Sequence, residues 1–489
     1  MMSEARRFLA DLERKLSEEE ESTRPIHEAT PPVGHHRLCV GMATFDDFDG
    51  VWFTVQAIAM YHPELADAVS FVILDNHPEG AAATDLKGLD ERVPHLRYVP
   101  FRGYRSTAAR DLIFREADAD VVCCLDSHVL LKPGALGALL EYFEENPTSR
   151  DMIQGPLLSD DLASVVGTHF EPTWSDGMYG QWATDPRLAD GAAEPFEIPM
   201  QGLGQFACRR EAWPGINSRF RGFGGEEGYL HEKVRQGGGR VLCHPAMGWV
   251  HRFTRPSGPP YRPTWEDRVR NYRIGWDEIG WDIEPMEAHF REMLGAIPEA
   301  DPDAILSQTA RQLASPFTYF DAILCLNFDG DAQRFDERQQ QLLLLDIAWR
   351  IEQQPVTPTP GNHHRGCVDS WRDLVELAEH RGYAHVLGFE GEITLAADEA
   401  RSAGETIEGL TGTSWDICLL GPQGEGEGSE PCHHAIAVHR RAFAQVLSDL
   451  PSSPWELDAW ISEHHTIGRY LQRRMRDGTF RVVGHTGTA

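Results

Sequence analysis

The sequence reads ADADVVCCLDSHVLLKPGAL over residues 117–136, an apolar run that ends in an aspartate and a histidine two positions apart. A short apolar run bounded by polar residues predicts a buried strand. In an open parallel sheet, ligands bind beyond the carboxyl ends of the strands, where Asp126 and His128 follow this run. Because residues two apart in an extended segment project to the same side, the pair offers an oxygen and a nitrogen to one cation. The pattern predicts either a divalent metal site, with Mn²⁺ as a suitable ion, or a capping aspartate beside a hydrogen-bonded histidine.

The segments on both sides of this run alternate between strand-like and helix-like patterns. Apolar runs in RLCVGMATF, VSFVILDN and HLRYVPF have the length of strands, whereas FTVQAIAMYHP and STAARDLIFREA have helical periodicity. This alternation predicts βαβ units and a parallel sheet. A second alternating unit begins at FDAILCLNFDGDAQRF. The predicted fold class is therefore α/β, with two tandem Rossmann-like, mostly parallel sheets joined by a helical connector.

The composition bounds the number of domains and the classes of partner. At ~100–200 residues per domain, a chain of 489 residues holds two or three domains, and two is our prediction. The formal net charge is -31, so the composition lacks the excess of basic residues that is typical of proteins that bind nucleic acid or an anionic membrane. No apolar run approaches the ~20 residues of a membrane span, and no secretion signal precedes the first domain, so we expect a cytoplasmic protein without a transmembrane segment.

Changes of pattern along the chain give the predicted segments. Residues 1–34 form an N-terminal helix and an acidic tether, and residues 35–265 form the first α/β domain. Residues 266–318 form the helical connector, and residues 319–489 form the second α/β domain. The nine cysteines are scattered without a CxxC pair, which predicts reduced, mostly buried thiols.

Three further stretches add polar residues to the strand-end pair. Asp75 closes the apolar run VILD, and His251 closes the run in MGWVHRF. In GFGGEEGYL, Glu226 and Glu227 follow two glycines at the start of a predicted helix, where the backbone can approach a ligand closely. His251 is therefore a candidate third metal ligand, and Asp75 a candidate acceptor for a nucleobase or ribose.

With these stretches in order, residues 37 to about 265 resemble nucleotide-diphospho-sugar glycosyltransferases of the GT-A fold, in the broad family 2 style. The motifs are most similar to those of polypeptide GalNAc-transferases and β1,4-galactosyltransferases. LDSH resembles their DxH or DxD motif, GFGGEEGYL their GGE helix, and VHRF their downstream histidine. MQGLGQFACRREAW resembles the Gly-rich strand that precedes the GGE helix.

The resemblance implies a cofactor and a donor site. Mn²⁺, or Mg²⁺, would be held by Asp126, His128 and His251 and would bridge the diphosphate of a nucleoside-diphosphate sugar. Arg105 and Arg110, on the stretch before the metal motif, are carried over as donor contacts. Further residues assigned to the donor by resemblance are Thr44, Asp75 and Asp126.

The resemblance also bears on stereochemistry. Inverting galactosyltransferases carry an acid after GGE, and this sequence has Glu227 there, whereas the retaining GalNAc-transferases carry an amide. A positioned carboxylate can act as a general base, so we predict inversion with Glu227 as base. Glu226 would then bind hydroxyls of the acceptor or the sugar. The alternative is that one of the two glutamates only caps the helix.

Two further parts of the sequence each allow two interpretations. The stretch TRPSGPPYRP, residues 254–263, matches the position of a cover over the bound donor, and it equally fits an interdomain linker. Trp174, Tyr179 and Trp182 lie in the region that forms the acceptor surface of such enzymes, and core packing explains them as well.

Residues 319 to about 480 resemble family 25 glycosyltransferases, the lipooligosaccharide and collagen galactosyltransferase type. Trp371 stands where that family has a histidine, and Glu390-Gly391-Glu392 replaces its acidic triplet. Glu390 and Glu392 could still bind a metal from one face of a strand. An active second transferase and a degenerate supporting domain both stay open.

These observations together predict two tandem GT-A-like domains and an enzyme of the hexosyltransferase class, with a role in polysaccharide biosynthesis. The predicted reaction moves a hexose or N-acetylhexosamine from a nucleoside diphosphate, expected to be UDP, to a hydroxyl of a glycan, a lipid-linked saccharide or a protein. The alternatives are a sugar nucleotidyltransferase and a non-catalytic carbohydrate-binding scaffold. The first lacks its basic phosphate loop, because CVGMATFDDFDG has acids there.

Overall fold

The computed structural model describes part of the chain. The described residues are 36–189, 191, 193–252, 263–327, 346–355, 363–389, 407–408, 410, 415–419, 435–449, 471–474 and 481–484. The predicted N-terminal segment 1–34, nearly all of the predicted cover 254–263, and Glu390 and Glu392 lie outside them. Two compact units divide the chain, one covering Thr30–Thr309 and the other containing Ala310–Ala489.

The first unit alternates strands and helices as the sequence predicts. Its strands are β1 His36–Thr44, β2 Val69–Asp75, β3 Leu96–Pro100, β4 Ala119–Asp126, β5 Val129–Leu131, β6 Met152–Gln154, β7 Leu157–Leu158, β8 Val165–Gly167, β9 His169–Ser175, β10 Met178–Ala183, β11 Phe196–Glu197, β12 Gln205–Arg209, β13 Val241–Cys243 and β14 Trp249–His251. Its helices are α1 Phe48–Tyr61, α2 Ala83–Lys87, α3 Arg110–Glu116, α4 Ala135–Glu145, α5 Pro186–Ala189, α6 Glu227–Gln236, α7 Trp265–Glu278 and α8 Glu284–Gly295, followed by α9 Pro302–Ala314.

The central sheet of this unit is mostly parallel. Its strand order is β11-β13-β6-β12-β4-β1-β2-β3, and β1 pairs in parallel with both β2 and β4. Strand β12 runs antiparallel to its neighbours β4 and β6, and β11 runs antiparallel to β13. Thr44 lies opposite Asp75, and Ala43 lies opposite Asp126, so the strands end at one edge of the sheet. The predicted α/β class with a mostly parallel sheet is confirmed for this unit.

Close packing of helices on the sheet explains the apolar strands. Every residue of β2 is buried, as expected for a parallel strand covered on both faces. Helix α3 approaches β1 so closely that a Cβ atom on Gly41 would lie 1.9 Å from Cγ2 of Ile113. Glycine at position 41 therefore allows this approach.

Two smaller sheets flank the central one. One has the order β5-β14-β7-β8, and the other pairs β9 with β10. His251 ends β14, which pairs antiparallel with β5, the strand that follows the turn at His128. This pairing brings the distant MGWVHRF segment back to the end of β4.

Helices α7 and α8 pack on the β9–β10 hairpin through an aromatic cluster. Trp174 stacks on His289 at 4.3 Å between ring centroids and contacts Tyr272 and Phe290 edge-on. Trp182 instead packs against Phe170. Trp174 and Trp182 thus contribute to packing, and the first helices of the predicted connector belong to the same compact unit as the site.

The second unit has its own mixed sheet. Its strands are β15 Ala322–Asn327, β16 Ile351–Pro355, β17 His385–Phe389, β18 Ile417–Leu419, β19 Ala435–His439, β20 Leu471–Arg474 and β21 Arg481–Gly484, and its helices include α10 His363–His380 and α11 Phe443–Asp449. The strand order is β16-β15-β17-β19-β18-β20-β21, with β15 parallel to β16 and β17. Trp371 is buried in α10, where its ring lies against Gly388 of β17. The residue at the position of the expected histidine is therefore part of a core.

None of the helices in the described residues combines the length and the apolar character that crossing a membrane requires.

Candidate functional site

The ends of β4 and β14 bring three side chains of ligand type together. One ligand atom each from Asp126, His128 and His251 lies within 4.8 Å of the others. Nε2 of His128 is 3.2 Å from Nε2 of His251, which is 3.3 Å from Oδ2 of Asp126. His128 lies in the turn after β4 rather than on the strand itself, so the turn, and not strand alternation alone, sets its direction. One carboxylate and two imidazoles suit a divalent transition-metal ion such as Mn²⁺.

Asp47 orients the first histidine, His128, by contacting its Nδ1 atom. One of its oxygens, Oδ2, lies 3.1 Å from Nδ1 of His128 and accepts a hydrogen bond from Oγ of Ser127 at 2.7 Å. Its other oxygen accepts from the backbone N–H of Gly50 and caps helix α1. A carboxylate on Nδ1 leaves Nε2 facing His251, which is the arrangement that metal-binding histidines use.

Arg110 fixes the charge state of Asp126. Nη2 of Arg110, a buried residue on α3, donates to Oδ1 of Asp126 at 2.8 Å. Burial alone raises the pKa of Asp126, but the hydrogen bond from His251 and the charge of Arg110 lower it overall, well below its usual range. Asp126 is therefore an anion that presents its second oxygen toward the histidines.

Glu226 and Glu227 stand at the first turn of α6. The helix begins at Glu227, and the side chain of Glu226 makes no capping hydrogen bond. Both glutamates are buried, and Oε2 of each has no hydrogen-bond partner among the described residues. The capping interpretation is thus not supported for Glu226, and each buried carboxylate has an oxygen to offer a ligand.

Burial and nearby charges shift the pKa values of this pair. Burial raises the pKa of both glutamates above the ordinary value, and the charge of Glu227 adds to the rise at Glu226. The negative charge of Asp126 raises the pKa of Glu227 further, whereas Arg268 and Arg110 oppose the rise. Arg110 thus acts on both glutamates as well as on Asp126, which links the pair electrostatically to the three ligand-type residues.

Asn271 holds the loop that leads into α6. Its carboxamide oxygen accepts from the backbone N–H of Arg221 at 3.0 Å, and its NH₂ group donates to the carbonyl oxygens of Arg221 and Gly224 at 2.8 and 2.9 Å. Gly224 and Gly225 have φ values of 100° and 94°, a region that favours glycine. A Cβ on Gly225 would lie 3.0 Å from the backbone nitrogen of Tyr272. The glycines of GFGGEE are therefore required by backbone conformation and by close contact with α7.

The remaining donor candidates lie at the edge formed by β1 and β2. Asp75 is fully buried and accepts from the backbone N–H of His77 at 2.9 Å and from the Tyr98 hydroxyl at 2.8 Å. Burial raises its pKa. Oγ1 of Thr44, opposite Asp75, is buried without a hydrogen-bond partner in the described part of the chain. Arg105 is exposed, with its guanidinium 5.0 Å from the ring centroid of Phe45, whereas Arg110 contacts Asp126.

The comparison with protein families matches one model, "Glycosyl transferase family 2", over residues 39–212. Residues 39–212 are therefore similar to glycosyltransferase family 2 domains. The enzyme class predicted from the sequence, glycosyltransferase, is confirmed by this match. The matched segment contains Asp126 and His128, whereas Glu226, Glu227 and His251 follow it in the chain.

Solved structures similar to the chain include three glycosyltransferase complexes. GalNAc-T7 with UDP, GalNAc and Mn²⁺ is 16% identical over 56% of this chain and 55% of that chain, with a TM-score of 0.41. S. aureus TarS 1–349 with UDP-GlcNAc is 9% identical over 70% of this chain and 81% of that chain, with a TM-score of 0.34. The mannosyltransferase PcManGT from Pyrobaculum calidifontis, with GDP-Man and Mn²⁺, is 16% identical over 64% of this chain and 80% of that chain, with a TM-score of 0.32.

The chain spans 55% of the length of the GalNAc-T7 structure that it matches. Among curated proteins, no sequence matches this chain.

Sequence reasoning missed two residues of the first unit that orient others. Asp47 follows the end of β1, and its position among strand-end acids in TFDDFDG was the only signal for it. Asn271 lies on α7, far along the chain from the loop that it holds, and no local pattern distinguishes it.

Proposed function

We propose that the protein transfers a hexose or N-acetylhexosamine from a nucleoside-diphosphate sugar, with UDP as the expected nucleotide, to a hydroxyl acceptor. The observation that supports this most is the convergence of Asp126, His128 and His251 at the carboxyl end of β4. In open α/β sheets this edge is where ligands bind. A local cationic site is needed there, since a protein of net charge -31 otherwise repels a diphosphate.

A divalent cation, Mn²⁺ or Mg²⁺, fits the three residues chemically. Asp126 supplies an anionic oxygen, and His128 and His251 supply two imidazole nitrogens that face each other at 3.2 Å. When bound, such an ion supplies Lewis-acid neutralisation of the charge on a departing diphosphate.

The chain's own residues prepare this site. Arg110 keeps Asp126 ionised, and Asp47 keeps Nε2 of His128 directed at His251. Thr44 has a buried hydroxyl without a partner in the described residues, at the edge where we expect the nucleoside, so it is proposed to bind the donor. Asp75 is proposed to accept from the base or ribose, in exchange for the Tyr98 hydroxyl that it now binds.

Glu227 is proposed as the general base that takes the proton from the acceptor hydroxyl. Its raised pKa moves it toward the pH at which proton transfer is most efficient. With an acid at this position, direct attack of the hydroxyl on the sugar carbon inverts the anomeric configuration. Glu226, buried beside it, is proposed to bind a hydroxyl of the sugar or the acceptor.

The second unit is proposed to be a family 25-like domain. Strand β17 ends at Phe389, directly before Glu390, in agreement with the expected strand-then-acid order. Glu390 and Glu392 themselves lie outside the described residues, so a second active site is a proposal from the sequence alone.

Hydrolysis of a donor panel tests the proposed function. UDP- and GDP-sugars are incubated with the full chain and Mn²⁺, Mg²⁺ or a chelator, and the released nucleoside diphosphate is measured. We expect metal-dependent release from one donor by wild type and by Glu390→Ala, and no release by His128→Ala.

The control is His62→Ala, a histidine that is also buried but lies at the C-terminal end of α1 and is not part of the site. Release that persists in the presence of chelator, or in His128→Ala, would contradict the assignment.

A further inference from the structure

An open cleft lies beside the start of α6, outside the residues assigned to the donor. It has a volume of about 460 Å³ and is lined mainly by Tyr179, Glu197, Pro199, Met200, Gly228 and Trp281. A volume of a few hundred Å³ is typical of small-molecule sites.

Two aromatic rings form rigid faces of the cleft. Tyr179 and Trp281 stand at 75° to each other, with 5.9 Å between ring centroids. The backbone N–H of Tyr179 donates to the Tyr272 hydroxyl at 2.7 Å, and the backbone N–H of Trp281 donates to the carbonyl of Trp276 at 2.8 Å. The ring of Trp281 also packs edge-on against Trp276. The ring of Tyr179 packs edge-on against Trp174 and Trp276, so neighbouring aromatic side chains hold both rings in place.

Gly228 keeps the cleft open next to the proposed base. A Cβ at this position would lie 3.3 Å from Sδ of Met200, 3.3 Å from Cδ1 of Tyr179 and 3.6 Å from Cζ3 of Trp281. A larger side chain would fill the space between these walls. Gly228 directly follows Glu227 in α6, so the cleft begins one residue along the helix from the proposed general base.

The charged groups at the cleft favour a neutral, hydroxyl-rich ligand. Glu197 is exposed and acidic, and carboxylates accept hydrogen bonds from hydroxyls. Arg235 is already engaged, because its guanidinium donates to the carbonyls of Ile198 and Pro199 and pairs with Glu232. Because Arg235, the one cationic residue in the lining, is already engaged and Glu197 is acidic, the cleft does not favour an anionic ligand.

We propose that this cleft binds a saccharide unit of the acceptor, with one sugar face against Trp281 or Tyr179 and hydroxyls directed to Glu197. Sugars present an apolar face and a rim of hydroxyls, which matches two aromatic walls with an acid beside them. The inference rests on the proposed function for its link to catalysis, whereas saccharide binding itself is measured independently.

Saturation-transfer NMR and calorimetry of the full chain test the cleft. The probes are methyl glycosides of glucose, galactose and N-acetylglucosamine and their linear disaccharides, added with UDP and Mn²⁺ present. We expect wild type to bind at least one probe, and Trp281→Ala to weaken its binding about tenfold or more, as expected when an aromatic anchor is removed. Trp281→Phe keeps a ring against Trp276 and is expected to retain most of the affinity.

His289→Ala is the matched control, because His289 stacks on Trp174 in the same aromatic cluster but does not line the cleft. It is expected to bind the probe as wild type does. If Trp281→Ala does not fold, Glu197→Ala replaces it and is expected to weaken binding through the loss of hydroxyl contacts.

Three results would contradict saccharide binding in the cleft. The first is that no probe binds wild type, and the second is that Trp281→Ala and Glu197→Ala bind as wild type does. The third is that UDP displaces the probe. Donor hydrolysis by wild type is followed in parallel. Absence of hydrolysis with intact, Trp281-dependent saccharide binding would refute the proposed function and leave the cleft standing.

Discussion

At the scale of single residues, the site contains one carboxyl with a lowered pKa and two carboxyls with raised pKa values. Arg110 and His251 lower the pKa of Asp126, whereas burial raises the pKa of Glu226 and Glu227. Environments that push carboxyl pKa values apart are typical of sites with distinct acid, base and ligand roles. Each carboxyl is therefore expected to respond differently to substitution.

Removing the carboxylate of Glu227 is expected to lower the rate by ~10²–10⁴-fold in Glu227→Gln, the usual range for a general base. The base acts when ionised, and its pKa in the folded protein is raised, so activity falls as pH falls through that raised value. The acidic limb of kcat/KM against pH should thus lie above pH 4.5, the ordinary value for glutamate, and should disappear in the variant. A profile unchanged in Glu227→Gln would contradict the role of base.

Replacing the carboxyl of Glu226 is expected to stabilise the protein in Glu226→Gln, by ~1 kcal/mol or more at neutral pH. A raised pKa in the folded state means that stability falls as pH rises from the unfolded value through the raised one. The gain should therefore be present at neutral pH and absent at pH 4, as measured by urea unfolding at both pH values in chelator.

Glu232→Gln is the control for this effect, because Glu232 lies on the same helix and forms a partly exposed ion pair with Arg235. It should change the free energy of unfolding by less than ~0.5 kcal/mol. Destabilisation of Glu226→Gln at neutral pH would show that the ionised carboxylate is well satisfied in the fold.

At the scale of elements, one helix holds the loop of another. Asn271 on α7 makes three hydrogen bonds to the backbone of the loop that begins α6. The glycines of that loop have positive φ values and no side chains that could stabilise the loop. Its conformation therefore depends on contacts from other elements. The position of the two glutamates is thus set by a residue more than forty positions away in the chain.

Asn271→Ala is expected to destabilise the protein by ~1–3 kcal/mol, because it leaves buried backbone groups without partners. It should also lower kcat more than it raises KM for the donor, since the donor site keeps its ligand residues. Asn271→Asp retains only the accepting interaction and is expected to recover activity in part.

Asn146→Ala serves as the control for Asn271, because Asn146 also donates to a backbone carbonyl, at the end of α4 and away from the site. It should leave kcat unchanged. If kcat of Asn271→Ala equals that of wild type, the loop is held by other contacts.

The strands and the local motifs could be predicted from the sequence, but the supporting contacts could not. The Asp126–His128 pair is local, and apolar runs before Asp75 and His251 mark strand ends, so composition and spacing indicate them. Asp47 and Asn271 act on distant backbone or side chains, and such contacts leave no periodic pattern. Arg105 and Arg110 look alike in sequence, and only packing shows that Arg110 is buried on Asp126 while Arg105 lies over Phe45.

At the scale of the whole molecule, two compact units have separate sheets and separate cores. The core of the first includes Val40, Ile73 and Leu125, and that of the second includes Ile323 and Leu387. The recurrence of the strand–helix alternation predicts two α/β units, and the α/β class with a mostly parallel sheet is confirmed for the first. The mixed pairing of the second sheet was not predicted, because β17 and β19 carry no signal for strand direction.

Separate cores predict two transitions in calorimetric unfolding of the full chain. Mn²⁺ with UDP should raise the midpoint temperature of one transition only. The free energy of unfolding of that unit should rise by about 2.7 kcal/mol when the ligand is at a hundred times its Kd. His251→Ala should abolish that shift and leave the other transition in place. A single transition, or a shift of both on adding ligand, would contradict independent units.

Asp126, His128 and His251 are proposed to form a metal site that binds a nucleoside diphosphate. Calorimetric titration of UDP into the full chain, with Mn²⁺ or with chelator, tests it most directly in wild type and His251→Ala. We expect UDP to bind wild type only with Mn²⁺ and not to bind His251→Ala under either condition. UDP binding of equal affinity in chelator, or in His251→Ala with Mn²⁺, would contradict it.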